Sequence, residues 1–173
     1  MIETAPVQSC QSIDIIAVDD RSSDDTAAVA KKFGADVFHE PVRGRSQAQN
    51  FGIRKYRGNL IMFLDADCTL QRGWLSELLK PFDDPATGCV AGAILNSIDT
   101  ATPFSEYLIK KGHLAQSVYF NHSFYPFAAT GNAAFRRAVL DQIGLFDEAI
   151  FLIELGEKIG RIEGSIRSRI WGP

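Results

Sequence analysis

Cysteine is scarce in this chain: three in 173 residues, Cys10, Cys68 and Cys89. No pair has metal-ligand spacing and an odd number closes no disulfide framework. Three reduced thiols in a cytosolic setting are therefore expected. Long apolar runs are missing too, and none approaches the ~20 residues of a membrane-spanning helix. Met1-Ile2-Glu3-Thr4 sets no basic segment ahead of an apolar stretch, so no signal peptide is expected. The expected location is cytoplasmic, at the inner face of the membrane where a larger parent carries membrane helices. Cationic excess is absent as well: 18 Lys and Arg face 21 Asp and Glu, for a formal net charge of -3. That charge balance argues against a dedicated nucleic-acid binder. There is no internal repeat and no low-complexity linker.

What is present suffices for one domain with a sizeable core. The hydrophobic fraction is 46% and the charged fraction 23%, both ordinary for a globular protein. Strand-like apolar runs alternate with helical patterns, the signature of an α/β layer fold. Ile13 to Val18 is β-branched and nearly continuous, as a buried parallel strand would be. Ser23 or Asp24 can cap the helix that follows, and Gly34 is suited to a left-handed stop after Phe33. Asp36 to His39 reads as a short strand. Ser46 is expected to cap a helix through about Lys55. Leu60-Ile61-Met62-Phe63-Leu64 is the most apolar strand and is expected to be central. A short helix from Trp74 to Lys80 ends at Pro81, and Cys89 to Leu95 is a further strand. Phe104 to about Ser117 is expected to be helical and Phe120 to Phe127 irregular. Thr130 to Phe135 opens a last strand, and Arg137 to Ile143 a last helix.

Two acidic clusters follow two of these strands, Asp19-Asp20 and Asp65-Ala66-Asp67. Open parallel sheets bind ligands beyond the carboxyl ends of their strands. Carboxylates there meet a ligand rather than fill a core. In extended backbone Asp65 and Asp67 point the same way, and two like charges held close repel unless a cation lies between them. Mg²⁺ or Mn²⁺ takes hard oxygen ligands, often one or two carboxylates plus substrate phosphates, so a bound diphosphate follows. Arg43-Gly44-Arg45 is the second feature. Its glycine permits close backbone approach and its arginines suit phosphate oxygens or a base edge. A helix starting at Ser46 would also offer backbone N–H groups to an anion. The alternatives are ordinary: an aspartate capping a turn, and a solvated basic loop. His39, His113 and His122 show no ligand spacing.

Val18-Asp19-Asp20-Arg21-Ser22-Ser23-Asp24-Asp25-Thr26 resembles the Val-Asp-Asp-x-Ser-x-Asp-x-Thr segment of family 2 glycosyltransferases. Arg45 to Gly52, followed by Gly58 to Asp67, is similar to that family's Asn-x-Gly helix and Phe-Leu-Asp-Ala-Asp strand. Gly73-Trp74-Leu75, Thr130 to Arg137 and Gly144-Leu145-Phe146-Asp147-Glu148 match later landmarks. The resemblance runs from Ser12 to Glu148, and its order and spacing carry it. It implies a Rossmann-like nucleotide-diphospho-sugar transferase fold, a mixed, mainly parallel sheet flanked by helices. It implies transfer of a sugar from a UDP- or GDP-sugar to a saccharide or lipid acceptor. Asp20 would then accept a hydrogen bond from the base, with Arg43 and Arg45 near the nucleotide. Asp65 and Asp67 would hold the metal, Mg²⁺ or Mn²⁺, and the sugar diphosphate. Thr130, Gly131 and Asn132 would border the sugar or the acceptor.

The chain departs from that pattern twice. Met1 to Ser12 is too short and polar to supply the family's usual first strand and helix. The strands ending at Asp20 and Asp65 would then pair directly or leave an edge open, and an open edge invites self-association. Downstream, Ala149 to Glu157 replaces the usual acidic segment, so no catalytic base is assigned; Glu154 or Glu157 could substitute. Residues 1–155 are thus expected to form an incomplete domain truncated at both ends, and 156–173 an irregular, frayed tail. Two other functions compete. One is an inactive remnant with weak or no nucleotide binding. The other is a phosphohydrolase of the haloacid dehalogenase type, with Asp65 as nucleophile and Asp67 as acid/base.

Overall fold

A computed structural model describes residues 13–94, 102–111 and 128–146, and the backbone at 168–171. The chain divides into two compact units. One comprises Met1–Ile61, Ala66–Glu77 and Arg136–Ile153, the other Met62–Asp65, Leu78–Phe135 and Glu154–Pro173.

In the first unit, strand β1 (Ile16–Asp19) lies parallel to β2 (Asp36–His39), with Ile16 opposite Asp36 and Asp19 opposite His39. A parallel pair needs a crossover, and helix α1 (Thr26–Lys32) supplies it. The Asp24 carboxylate accepts hydrogen bonds from the Thr26 backbone N–H and hydroxyl. It thereby satisfies the first backbone donor of the helix, which has no partner within it; the cap position itself falls to Asp25, whose side chain makes no capping bond. Gly34 ends the helix at φ 85°, a left-handed position that glycine adopts without a Cβ clash. Helix α2 (Arg45–Lys55) covers β1: the missing Gly52 side chain leaves room for a Val18 methyl, 3.4 Å from where a Cβ would stand. Phe38 packs against Phe51 and Tyr56, at ring-centroid distances of 5.9 and 6.1 Å.

The same unit is closed by contacts distant in sequence. The buried Asn50 amide donates to the Phe146 carbonyl at 2.8 Å and accepts the Phe146 N–H at 3.0 Å. Helix α5 (Arg137–Ile143) begins with a guanidinium that donates to the carbonyls of Ile53, Tyr56 and Gly58. These carbonyls lie at and just beyond the α2 C-terminus, where acceptors lack intrahelical partners. One arginine satisfies three of them, and the negative end of the helix favours its charge.

In the larger sheet the strand order is β3 (Leu60–Leu64), β5 (Asn132–Arg136), β4 (Cys89–Gly92), β6 (Ser168–Trp171). β4 is antiparallel to β5 and parallel to β6. The core of the second unit is the β4–β5 pair, where Val90, Ala91, Ala133, Ala134 and Phe135 are fully buried. Helix α3 (Trp74–Leu79), the short 3-10 turn Lys80–Asp83 that follows it, and helix α4 (Pro103–Lys110) complete the described elements.

The structure corrects two expectations. The apolar strand β3 is not central: among the described strands it ends the sheet, and all five of its residues are only half-buried. Apolar composition reports a preference for burial, whereas position in a sheet is set by which backbone edges pair. Of the two alternatives for β1 and β3, direct pairing does not occur: among the described residues they belong to different sheets. Part of the stretch expected to be an irregular tail forms β6, whose backbone takes the open edge of β4 in register from Cys89–Ser168 to Gly92–Trp171. The expected helix beyond Lys111, the aromatic stretch 120–127 and the acidic candidates from Asp147 onward lie outside the described residues.

Candidate functional site

In the first unit the site residues gather where β1 and β2 end. Asp20 is half-buried, and both its carboxylate oxygens receive the Gly44 N–H, at 3.3 and 3.2 Å. This bond ties the acidic strand end to the Arg43-Gly44-Arg45 loop 24 residues away. Gly44 has φ 148°, a conformation that L side chains rarely adopt, and it occupies the cap of α2. Ser46 lies inside the helix instead of capping it. The cause is tertiary: a carboxylate takes the N–H of the residue just before the helix, where negative charge is favoured. Arg43 and Arg45 project from this loop, both exposed. Glu40, 8% exposed, stiffens its approach by accepting the Val42 N–H at 3.0 Å.

Asp19 is held more tightly. Its Oδ1 accepts the Ser22 N–H at 3.0 Å and its Oδ2 lies 2.9 Å from His39 Nδ1. Hydrogen bonds from Ser22 first, and His39 after them, keep its carboxyl below the ordinary carboxylate value. The intervening turn places Arg21 at φ 64°, which is left-handed and costly for a residue with a Cβ.

In the second unit Asp65 follows β3, and its N–H donates to the Gly131 carbonyl at 3.3 Å. A Cβ at Gly131 would stand 2.9 Å from Asp65 Oδ2. Only a glycine lets this carboxylate lie so close to the backbone. Among the described residues no hydrogen bond or ion pair engages the Asp65 carboxylate. Gly131 and Asn132 are buried and Thr130 half-buried. The Asn132 amide donates to the Ala93 carbonyl at 2.9 Å and fills the space a Gly92 side chain would take.

Ala66 and Asp67 form a turn, so the backbone is not extended through both aspartates, as alternation would have it. Asp67 is exposed. Asp65 and Asp67 fall in different units. Among the described residues no group of three or more His, Cys, Asp or Glu is arranged to hold a metal. Two carboxylates supply hard oxygen donors, the set Mg²⁺ or Mn²⁺ takes when substrate phosphates and water complete the shell. Cys68 and Cys89 are free thiols, and burial pushes the Cys89 thiol well up, out of reactive range.

The residue that sequence reasoning passed over is His39. It has no ligand spacing along the chain, but it ends a short strand, as Asp19 does. A parallel register that aligns two strand ends brings them together.

Residues 2–144 match the model of glycosyl transferase family 2. The chain is 29% identical over 154 residues to a pre-mycofactocin glycosyltransferase of Mycobacterium tuberculosis, covering 83% of this chain and 32% of that protein. It thus spans about a third of the length of this curated relative. A mannosyltransferase from Pyrobaculum calidifontis, solved with GDP-Man and Mn²⁺, superposes with a TM-score of 0.64 at 21% identity, covering 86% of this chain and 43% of that one. S. aureus TarS 1-349 in complex with UDP superposes with a TM-score of 0.63 at 16% identity, over 89% of this chain and 47% of that one. These likenesses identify the fold as the Rossmann-like nucleotide-diphospho-sugar transferase type, and the family match removes the haloacid dehalogenase alternative. With the Val-Asp-Asp strand, the Asp-Ala-Asp strand end and the Gly131 approach all inside the matched span, the chain belongs to glycosyl transferase family 2.

Proposed function

We propose that this chain binds a nucleotide-diphosphate sugar, with a UDP or GDP leaving group, and transfers its sugar to a hydroxyl of a saccharide or lipid acceptor. The observation that carries this reading is the Asp65 carboxylate, set against the bare backbone of Gly131 and without a protein partner among the described residues. A carboxylate kept open by shape is suited to a cation rather than to stability.

In this reading Asp20 fixes the Arg43-Gly44-Arg45 loop, and that loop meets the nucleotide. Asp65 and Asp67 are the residues that would hold Mg²⁺ or Mn²⁺, which when bound offsets the charge developing on the departing diphosphate. Asp65 is kept in place by its backbone bond to Gly131 and by the absence of a Cβ there. Thr130 and Gly131 border the sugar. Among the described residues no helix is long and apolar enough to cross a membrane, and a cytoplasmic setting facing the inner membrane suits a lipid acceptor.

The test is thermal stabilisation of the full chain by UDP, GDP and their sugars, with and without Mn²⁺, in wild type and Asp67→Ala. Stabilisation that needs Mn²⁺ and vanishes in the variant supports the donor site. A folded wild type that responds to no nucleotide identifies a remnant that has lost donor binding.

A further inference from the structure

His39 lies beside the nucleotide loop but has no part in the chemistry assigned so far. Its surroundings are unusual for a surface histidine. The side chain is 72% exposed, while its partner Asp19 is 8% exposed. The ring therefore stands in solvent with one nitrogen anchored. The parallel register puts Asp19 and His39 opposite each other at the carboxyl ends of β1 and β2, the edge at which open parallel sheets receive ligands.

The anchoring fixes which nitrogen carries the proton. Asp19 is an acceptor-only group when ionised, and its carboxyl is held below the ordinary range by Ser22 and His39. At 2.9 Å from Oδ2, Nδ1 must therefore supply the hydrogen. In the neutral ring Nε2 is then a bare acceptor, directed away from Asp19 on an exposed side chain. An aspartate that orients a histidine in this way selects its tautomer.

Asp20, the group expected to read the base, is already engaged by the Gly44 N–H through both oxygens. An acceptor with no such duty stands on the neighbouring strand end. Four residues separate His39 from Gly44, and the Glu40–Val42 bond fixes that short connection. Uracil and guanine share one donor in a comparable setting, a ring N–H flanked by carbonyl carbon: N3–H in uracil, N1–H in guanine.

We infer that His39 Nε2 is a base-reading acceptor for this ring N–H of the nucleotide donor, and that Asp19 is the positioning residue that holds the ring by Nδ1 and so leaves Nε2 as the acceptor of the neutral ring. The assignment rests on the proposed donor site and names a specificity residue within it. It selects bases with a ring N–H beside a carbonyl and disfavours cytosine, whose N3 is an acceptor and would face a second lone pair.

Calorimetric titration of the full chain with Mn²⁺ tests this, using UDP, GDP and the same nucleotides methylated at uracil N3 or guanine N1. In wild type, methylation of the preferred nucleotide is expected to weaken binding by roughly 3- to 10-fold beyond its cost in His39→Phe, the range of one neutral hydrogen bond. His39→Phe binds the unmethylated nucleotide more weakly by a similar factor. His39→Gln, which keeps an acceptor, recovers part of the loss. Asp19→Asn, which can donate to Nδ1 and so reverse the tautomer, behaves like His39→Phe. Equal methylation costs in wild type and His39→Phe overturn the assignment while leaving the donor site intact. A folded wild type that binds neither UDP nor GDP overturns the donor site, and this inference with it.

Discussion

The two acidic strand ends of this protein are built on opposite principles. At the end of β1 the carboxylates are engaged by the protein itself. Asp19 takes the Ser22 N–H and the His39 ring, and Asp20 takes the Gly44 N–H. At the end of β3 the Asp65 carboxylate has no such partner among the described residues, and its place is defined by what Gly131 lacks. Bonds between fixed groups stiffen a loop for recognition. An open carboxylate in a space only glycine permits keeps its charge for an incoming cation. In the function proposed above, the β1 end serves recognition of the nucleoside, and the β3 end keeps a carboxylate for a cation.

Variants can break this comparison. The largest effect is expected on the shape side. Gly92→Ala places a Cβ 2.3 Å from the buried Asn132 amide nitrogen, and overpacking of this kind costs about 1–3 kcal/mol. Urea unfolding should show that loss, and unchanged stability would mean the strand relaxes freely. Gly131→Ala should act on function first. Its Cβ would fall 2.9 Å from Asp65 Oδ2, and Mn²⁺-dependent affinity for UDP or GDP should drop by about tenfold, equivalent to ~1.4 kcal/mol. A variant that binds as wild type would show that the carboxylate needs no such clearance.

On the bonded side the effects should be smaller. Asp20→Asn keeps an acceptor for the Gly44 N–H but removes the charge, at a cost of about 1 kcal/mol. It should also raise hydrogen exchange at Gly44 before the β1 core is affected; slow exchange at that amide in the variant would contradict the clamp. The smallest effect is one of pH. Asp19 has a lowered folded pKa, chiefly through Ser22 and then His39. Its stabilisation is therefore complete above the ordinary carboxylate value and is lost as pH falls through the folded one. The stability gap between wild type and Asp19→Asn should accordingly narrow below about pH 4. A gap that widens on acidification would reverse the sign of this linkage.

Much of the fold was legible in one dimension. β2, β3 and α5 fall where apolar runs and breakers set them, and Gly34 and Gly144 stop their helices in left-handed geometry. Strand rank was not legible. Leu60 to Leu64 is richer in large apolar side chains than Asn132-Ala133-Ala134-Phe135-Arg136, yet β5 is the buried strand and β3 ends its sheet among the described strands. Small residues win the interior because they let a strand be flanked closely on both sides, as Gly92 and Asn132 show. Ser46 misled for a related reason: local capping chemistry favoured it, and a carboxylate 24 residues upstream decided for Gly44.

The sequence by itself determined the α/β alternation, the acidic strand ends and the family, because periodicity and motif order are properties of neighbours along a chain. The tertiary structure alone decided that Asp19 faces His39, that Asp20 holds Gly44 and that Gly131 makes room for Asp65. Each of these joins residues 20 or more positions apart. Register and close approach arise only when strands pair, and no local pattern encodes them.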